Sequence, residues 1–145
     1  MPESPAPAND RYKTFTVLVI DDQEAVRDSV RMMLRSLGFG AILEAANGES
    51  AKEQFTSRSP DLVLCDINMT PTNGFAFVKW VRMRNSGGFR TPILFLTSHT
   101  EREVVMKAKE VGIDGFLVKP VGIADLTVRV DRAMRVYAKP GAKKD

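Results

Sequence analysis

Three aspartates, a threonine and a lysine stand at the ends of short apolar runs. Asp21 and Asp22 follow FTVLVI (15–20), Asp66 follows LVLC (62–65), Thr97 ends ILFLT (93–97) and Lys119 ends FLVK (116–119). Singly, each is ordinary: an aspartate after a strand commonly serves as a turn residue or a helix cap. Together they form a chemical set. Carboxylates brought into one place repel and call for a cation. An oxygen-only donor set points to a hard divalent ion, Mg²⁺ foremost, which takes one or two carboxylates and keeps several waters. A carboxylate is also a nucleophile toward phosphorus, giving an aspartyl phosphate. An ammonium and a divalent ion offset charge on phosphoryl oxygens, and a hydroxyl adds a hydrogen bond.

Such a set works only if the fold gathers it. Phe15–Ile20 is short and β-branched, as a buried parallel strand should be. Residues 24–37 place Val26, Val30, Met33, Leu34 and Leu37 at helical spacing, and Gly38 stops the helix. A strand over Ala41–Ala45, a turn at Asn47-Gly48 and a helix over Ser50–Ser59 follow. Pro60 breaks that helix before the strand at 62–65. A helix over Phe75–Arg84 turns Phe77, Val78 and Val81 inward, and Gly87-Gly88 mark a loop before the strand at 93–97. Thr100-Glu101-Arg102-Glu103 reads as a capping box opening a helix to Val111. Gly112 and Gly115 bracket the turn into the strand at 116–119, and residues 123–138 form the last helix. Strands alternating with helices indicate an α/β domain whose parallel sheet is covered on both faces. Its site belongs beyond the carboxyl ends of the strands, where the five residues stand.

The segments VLVIDD (17–22), LVLCDINM (62–69), Gly74, ILFLTS (93–98) and GFLVKP (115–120) occur in order. Asp22 and Asp66 lie 44 residues apart, Asp66 and Thr97 31, and Thr97 and Lys119 22. On these motifs and spacings the chain resembles a CheY-like response regulator receiver domain over roughly residues 15–138. The resemblance implies a flavodoxin-like (βα)5 doubly wound fold with a five-stranded parallel sheet in the order 2-1-3-4-5. With Pro2, Pro5 and Pro7 among polar neighbours, 1–13 reads as a flexible tail, and Pro140-Gly141 with lysines makes 139–145 a basic one, leaving 14–138 as the receiver domain. Asp66 is then the phosphoacceptor, served by a histidine kinase or a histidine phosphotransfer protein. Asp22, Asp66 and the main-chain carbonyl of Asn68 would bind Mg²⁺, with Asp21 acting through water. Lys119 would contact the phosphoryl group, in a pair with Pro120 whose peptide is a cis candidate. Thr97 and Phe116 would form the switch, Phe116 without the hydroxyl of the family's tyrosines.

The sequence departs from the family pattern after the acceptor. Thr70 stands in the usual proline place and Pro71 follows one residue late, which alters the loop, while Gly74 keeps its spacing. Asn68 and His99 occupy the positions that tune phosphoryl lifetime in the family. A solvated loop histidine is the plainer role for His99, and orienting an attacking water is the functional one. The string Asp66-Ile67-Asn68-Met69-Thr70 is superficially similar to the D-x-D-x-T motif of haloacid-dehalogenase-type phosphatases. Asn68 cannot transfer the proton that motif requires. A flavin-binding flavodoxin wants a phosphate loop where Asp21-Asp22 would repel phosphate. The expectation is therefore a stand-alone response regulator in chemotaxis-like control or a phosphorelay, a switch rather than a turnover enzyme. A phosphorylation-independent adaptor is the alternative.

Composition narrows the rest. The chain has 145 residues, with 21 Lys and Arg against 18 Asp and Glu, one His and one Cys. One cysteine excludes an internal disulfide framework, and one His with one Cys excludes a Cys/His zinc cluster. No apolar run reaches the roughly 18 residues that span a bilayer, and MPESPAPANDRYK lacks the apolar core of a secretory signal. A cytoplasmic protein without membrane insertion, monomeric or weakly dimeric, is expected. The net charge of +3 is mostly the +2 of KPGAKKD (139–145), so it does not point to nucleic acid. Arg27, Arg31 and Arg35 on the first helix and Arg129, Arg132, Arg135 and Lys139 on the last read as a basic face, either solvated or receiving an acidic partner. Cys65 and the methionines Met32, Met33, Met106 and Met134 read as packing, and Trp80 and Arg84 as a surface cation–π pair. The downstream target is not named by the sequence.

Overall fold

The structure, a computed structural model, describes residues 10–69, 73–85, 90–98, 102–135 and 137. Five strands and five helices alternate: β1 Thr16–Ile20, α1 Glu24–Ser36, β2 Ala41–Ala45, α2 Gly48–Arg58, β3 Leu62–Asp66, α3 Gly74–Arg84, β4 Ile93–Thr97, α4 Arg102–Val111, β5 Gly115–Val118 and α5 Ile123–Arg135. The strands form one sheet in the order β2-β1-β3-β4-β5, parallel throughout. This is the flavodoxin-like arrangement, with β1 at the point where the strand order reverses.

The sheet is buried on both sides because β1, β3 and β4 are apolar at almost every position. On one side Val17, Val19, Leu62, Leu64, Leu94 and Leu96 meet Val30 and Leu34 of α1 and Leu126 and Val130 of α5. On the other Leu18, Ile20, Val63, Cys65 and Phe95 meet Ala51 of α2, Phe77, Val78 and Val81 of α3 and Ala108 of α4. Alternate strand residues point to opposite faces, so each strand serves both layers. Each fully buried large side chain, such as Phe77 or Phe95, contributes roughly 1.5–3 kcal/mol through burial.

Several boundaries differ from expectation. The segment 1–13 is not tail throughout: residues 10–13 form a turn of the folded unit. Tyr12 is buried, stacks on Phe39 at 4.6 Å and donates its hydroxyl to Asp131 of α5 at 2.5 Å. Gly40 donates to the Tyr12 carbonyl, and a Cβ there would collide with the Lys13 carbonyl, so the close crossing requires glycine. Asn47 is the N-cap of α2, its side chain accepting from Ser50 N–H at 2.8 Å, so the expected turn at Asn47-Gly48 is the helix start. β5 ends at Val118, leaving Lys119 just beyond it. α5 is described to Arg135, and Tyr137 beyond it donates to buried Asp61 at 2.6 Å. Met32 and Met106 are exposed rather than packed. The loop at Gly87-Gly88, the capping residues Thr100 and Glu101, Lys139 and the expected basic tail at 139–145 lie outside the described residues.

Candidate functional site

β1 and β3 are adjacent at the reversal of strand order and β4 and β5 continue the sheet, so their carboxyl ends open onto one crevice. Asp21 and Asp22 leave β1, Asp66 ends β3, Thr97 ends β4 and Lys119 leaves β5. Carboxylate oxygens of Asp21, Asp22 and Asp66 lie within 4.8 Å of one another. The Lys119 ammonium reaches Asp21 Oδ2 at 2.8 Å and Asp66 Oδ1 at 3.4 Å. Asp21 is wholly buried and Asp66 nearly so, whereas Asp22 is exposed.

Local structure orients each group. Asp21 Oδ1 accepts from Gln23 N–H at 2.9 Å, ahead of α1. Its Oδ2 faces Lys119 as an ion-pair partner without a well-aligned hydrogen bond. Asp66 Oδ1 accepts from the Asn68 amide at 3.3 Å. Gly74 explains its own spacing: a Cβ there would stand 2.7 Å from the Asp66 carbonyl and 2.9 Å from Ile67 Cα. Only glycine lets α3 begin directly against the turn after Asp66, where Gly74 N–H donates to Ile67 O at 2.8 Å and Asn73 caps the helix.

Burial raises the Asp66 pKa, the charge on Asp21 raises it further, and Lys119 opposes both. For Lys119 burial works against the charge, but Asp21 and Asp66 outweigh it and hold the pKa above its ordinary value. One ammonium against three carboxylates leaves the pocket negative among the described residues, and the atoms these carboxylates offer a cation are oxygens. The residues therefore fit a hard divalent cation.

The remaining expected residues fall around this centre. Thr97 is buried and pairs in register with Val118. Phe116 is half-buried, its ring 6.3 Å from that of Phe95, its register partner on β4. The Lys119–Pro120 peptide is cis. Asn68 is exposed beside Asp66. His99, Thr70 and Pro71 lie outside the described residues.

The basic face is reduced. α1 and α5 do share one side of the sheet, but Arg27 and Arg31 are engaged internally. Arg31 pairs with Glu44 of β2 at 2.8 Å and Asp28 at 2.9 Å, and Arg27 pairs with Glu44 at 3.1 Å. Arg129 pairs with Asp125, and Asp131 takes Arg11. Arg35, Arg132 and Arg135 remain exposed. Arg27 also donates to the Asp21 carbonyl at 2.7 Å. Its helical spacing from Arg31 and Arg35 concealed this contact, because the partner is a main-chain atom. Trp80 does carry Arg84, whose guanidinium stands 3.9 Å from the ring centre.

The sequence profile described as response regulator receiver domain matches residues 17–131. Chemotaxis protein CheY-3 of Vibrio cholerae is 31% identical over 120 residues, covering 83% of this chain and 92% of that protein. The solved structure of chemotaxis protein CheY4 of Vibrio cholerae is 36% identical, with a TM-score of 0.76 over 82% of this chain and 98% of that one. A putative response regulator from Chloroflexus aurantiacus aligns with a TM-score of 0.76 at 29% identity, over 83% and 98% of the two chains.

Proposed function

This chain belongs to the response regulator receiver family of two-component systems, and we propose that it is a phosphorylation-controlled switch whose acceptor is Asp66. The observation that carries this reading is the gathering of three carboxylates within 4.8 Å of one another, two of which, Asp21 and Asp66, pair with the Lys119 ammonium. A carboxylate oxygen of Asp66 attacks the phosphorus of a phosphohistidine on a histidine kinase or phosphotransfer protein. The P–N bond breaks, and the departing imidazole leaves with the electron pair and takes up a proton. Asp22, Asp66 and the Asn68 carbonyl would hold Mg²⁺, with Asp21 acting through water; when bound, the ion neutralises charge on the transferring phosphoryl oxygens.

The chain's own residues do the rest. Lys119 holds a phosphoryl oxygen by charge, and Gly74 and the Asn68 amide keep the acceptor turn in place. Thr97 moves its hydroxyl to the phosphoryl group, and the Phe116 ring turns inward behind it, changing the surface around β5. Asn68 and His99 set how long the phosphoryl group lasts. The output is a protein contact in chemotaxis-like control or a phosphorelay, made by a cytoplasmic protein, monomeric or weakly dimeric. Spanning nine tenths of a chemotaxis relative supports that output, and among the described residues no helix is long and apolar enough to cross a membrane.

Incubation with Mg²⁺ and acetyl phosphate tests the reading by intact mass. One adduct of about 80 Da, absent in Asp66→Asn and without Mg²⁺, is expected for an acyl phosphate. No adduct would favour a phosphorylation-independent adaptor, and steady release of phosphate from unrelated esters would favour a phosphatase.

A further inference from the structure

The backbone on both sides of Asp21 is gripped from one strand. The Asp21 amide donates to the Ala45 carbonyl of β2 at 3.1 Å. The Asp21 carbonyl accepts from Arg27 Nη1 at 2.7 Å. Arg27 is in turn fixed by Nε donating to Glu44 Oε1 at 3.1 Å, and Glu44 precedes Ala45 on the same strand. Glu44 is held as well: Arg31 donates to its Oε2 at 2.8 Å. The Arg27 side chain is largely buried, at 16% exposure, so its charge is poorly solvated and its two contacts fix one rotamer.

The geometry points to Arg27 as a positioning residue for the acidic pocket, with Glu44 as the group that orients it. The inference rests on the divalent-cation reading of Asp21, Asp22 and Asp66. Arg27 touches none of those carboxylates. It holds the Asp21 carbonyl, which belongs to the Asp21–Asp22 peptide, and so sets where both side chains depart from β1. A planar guanidinium can serve Glu44 and a carbonyl at once from a fixed fork, which an ammonium cannot do in the same directions. The edge strand β2 thus acts on a site to which it contributes no ligand. Outer groups that orient metal ligands typically change affinity by about 10- to 100-fold when removed.

Calorimetric titration of the whole chain with Mg²⁺ alone tests this, with the urea midpoint of each metal-free protein recorded alongside. Arg27→Met keeps the apolar stem and removes both contacts, and Mg²⁺ should bind about tenfold more weakly. Glu44→Gln leaves Arg27 in place but loosens it, and a smaller loss is expected. The double variant should bind no worse than Arg27→Met alone, because both act through one linkage. Arg27→Lys should recover only part of the affinity. A lowered urea midpoint with wild-type Mg²⁺ affinity in Arg27→Met or Glu44→Gln would make Arg27 a structural ion pair and overturn the inference. Additive losses in the double variant would also overturn it. If Arg27→Met does not fold, Glu44→Gln decides alone, wild-type affinity there counting against the inference. Failure of the wild-type protein to bind Mg²⁺ overturns the underlying reading, and this inference with it; wild-type binding with unaffected variants overturns this inference only.

Discussion

Asp66 carries its charge in an unfavourable place, buried beside Asp21 with only part of that cost offset by Lys119. In metal-free solution Asp66→Asn should therefore raise the urea midpoint, since it removes a buried charge and its repulsion with Asp21. Saturating Mg²⁺ should narrow that gap by stabilising the wild-type protein more than the variant. A variant less stable than wild type without Mg²⁺ would contradict this electrostatic picture. Gly74 supplies a steric prediction. Gly74→Ala pushes a methyl against the Asp66 carbonyl and Ile67 Cα, both backbone atoms with little room to yield. A loss of roughly 1–3 kcal/mol by denaturant unfolding is expected, as for overpacked cores, with slower phosphorylation of the folded protein.

Among the elements, the turn at residues 10–13 and α5 form a second system far from Asp66 in sequence. Burial and the Asp131 hydrogen bond push the Tyr12 hydroxyl up to about 12, against an ordinary 10.0. A raised pKa means the folded state holds that proton more tightly than the unfolded chain. The resulting stability is complete below pH 10 and is lost as pH rises through about 12. Tyr12→Phe should be less stable at neutral pH, having lost the bond to Asp131, and should lose less stability between pH 10 and 12. Equal alkaline losses in the two proteins would contradict it. Tyr137 shares the alkaline sensitivity, since burial and Asp61 raise its pKa too, so the loss should shrink without vanishing. Tyr12 was hidden in the sequence because one aromatic among prolines and polar residues has no periodic partner. The strands were legible for the opposite reason: β1, β3 and β4 are short apolar runs flanked by turn residues, which encodes burial on both faces.

At the scale of the molecule, parallel topology carries most of the argument from sequence to site. Once the strands alternate with helices, the residues after each strand must share one end of the sheet, so Asp21, Asp22, Asp66, Thr97 and Lys119 could be grouped before any contact was known. Contacts that cross between elements without periodicity were not legible. Arg27 read as one member of a helical arginine row, yet it spans to Glu44 on β2 and to the Asp21 carbonyl. Its neighbour Arg31 is likewise engaged with Glu44 and Asp28, which removes two cations from the expected basic face. Docking of an acidic partner should accordingly respond to Arg132→Glu, whose residue is exposed, with slower association at low salt; unchanged association kinetics would contradict that role. The central claim is that Asp66 itself receives the phosphoryl group. Borohydride reduction after incubation with Mg²⁺ and acetyl phosphate, followed by peptide mass mapping, reads this directly because an acyl phosphate is reduced to an alcohol. Homoserine is expected at position 66 alone and only when Mg²⁺ is present. Reduction at Asp21 or Asp22, or none at any position, would contradict it.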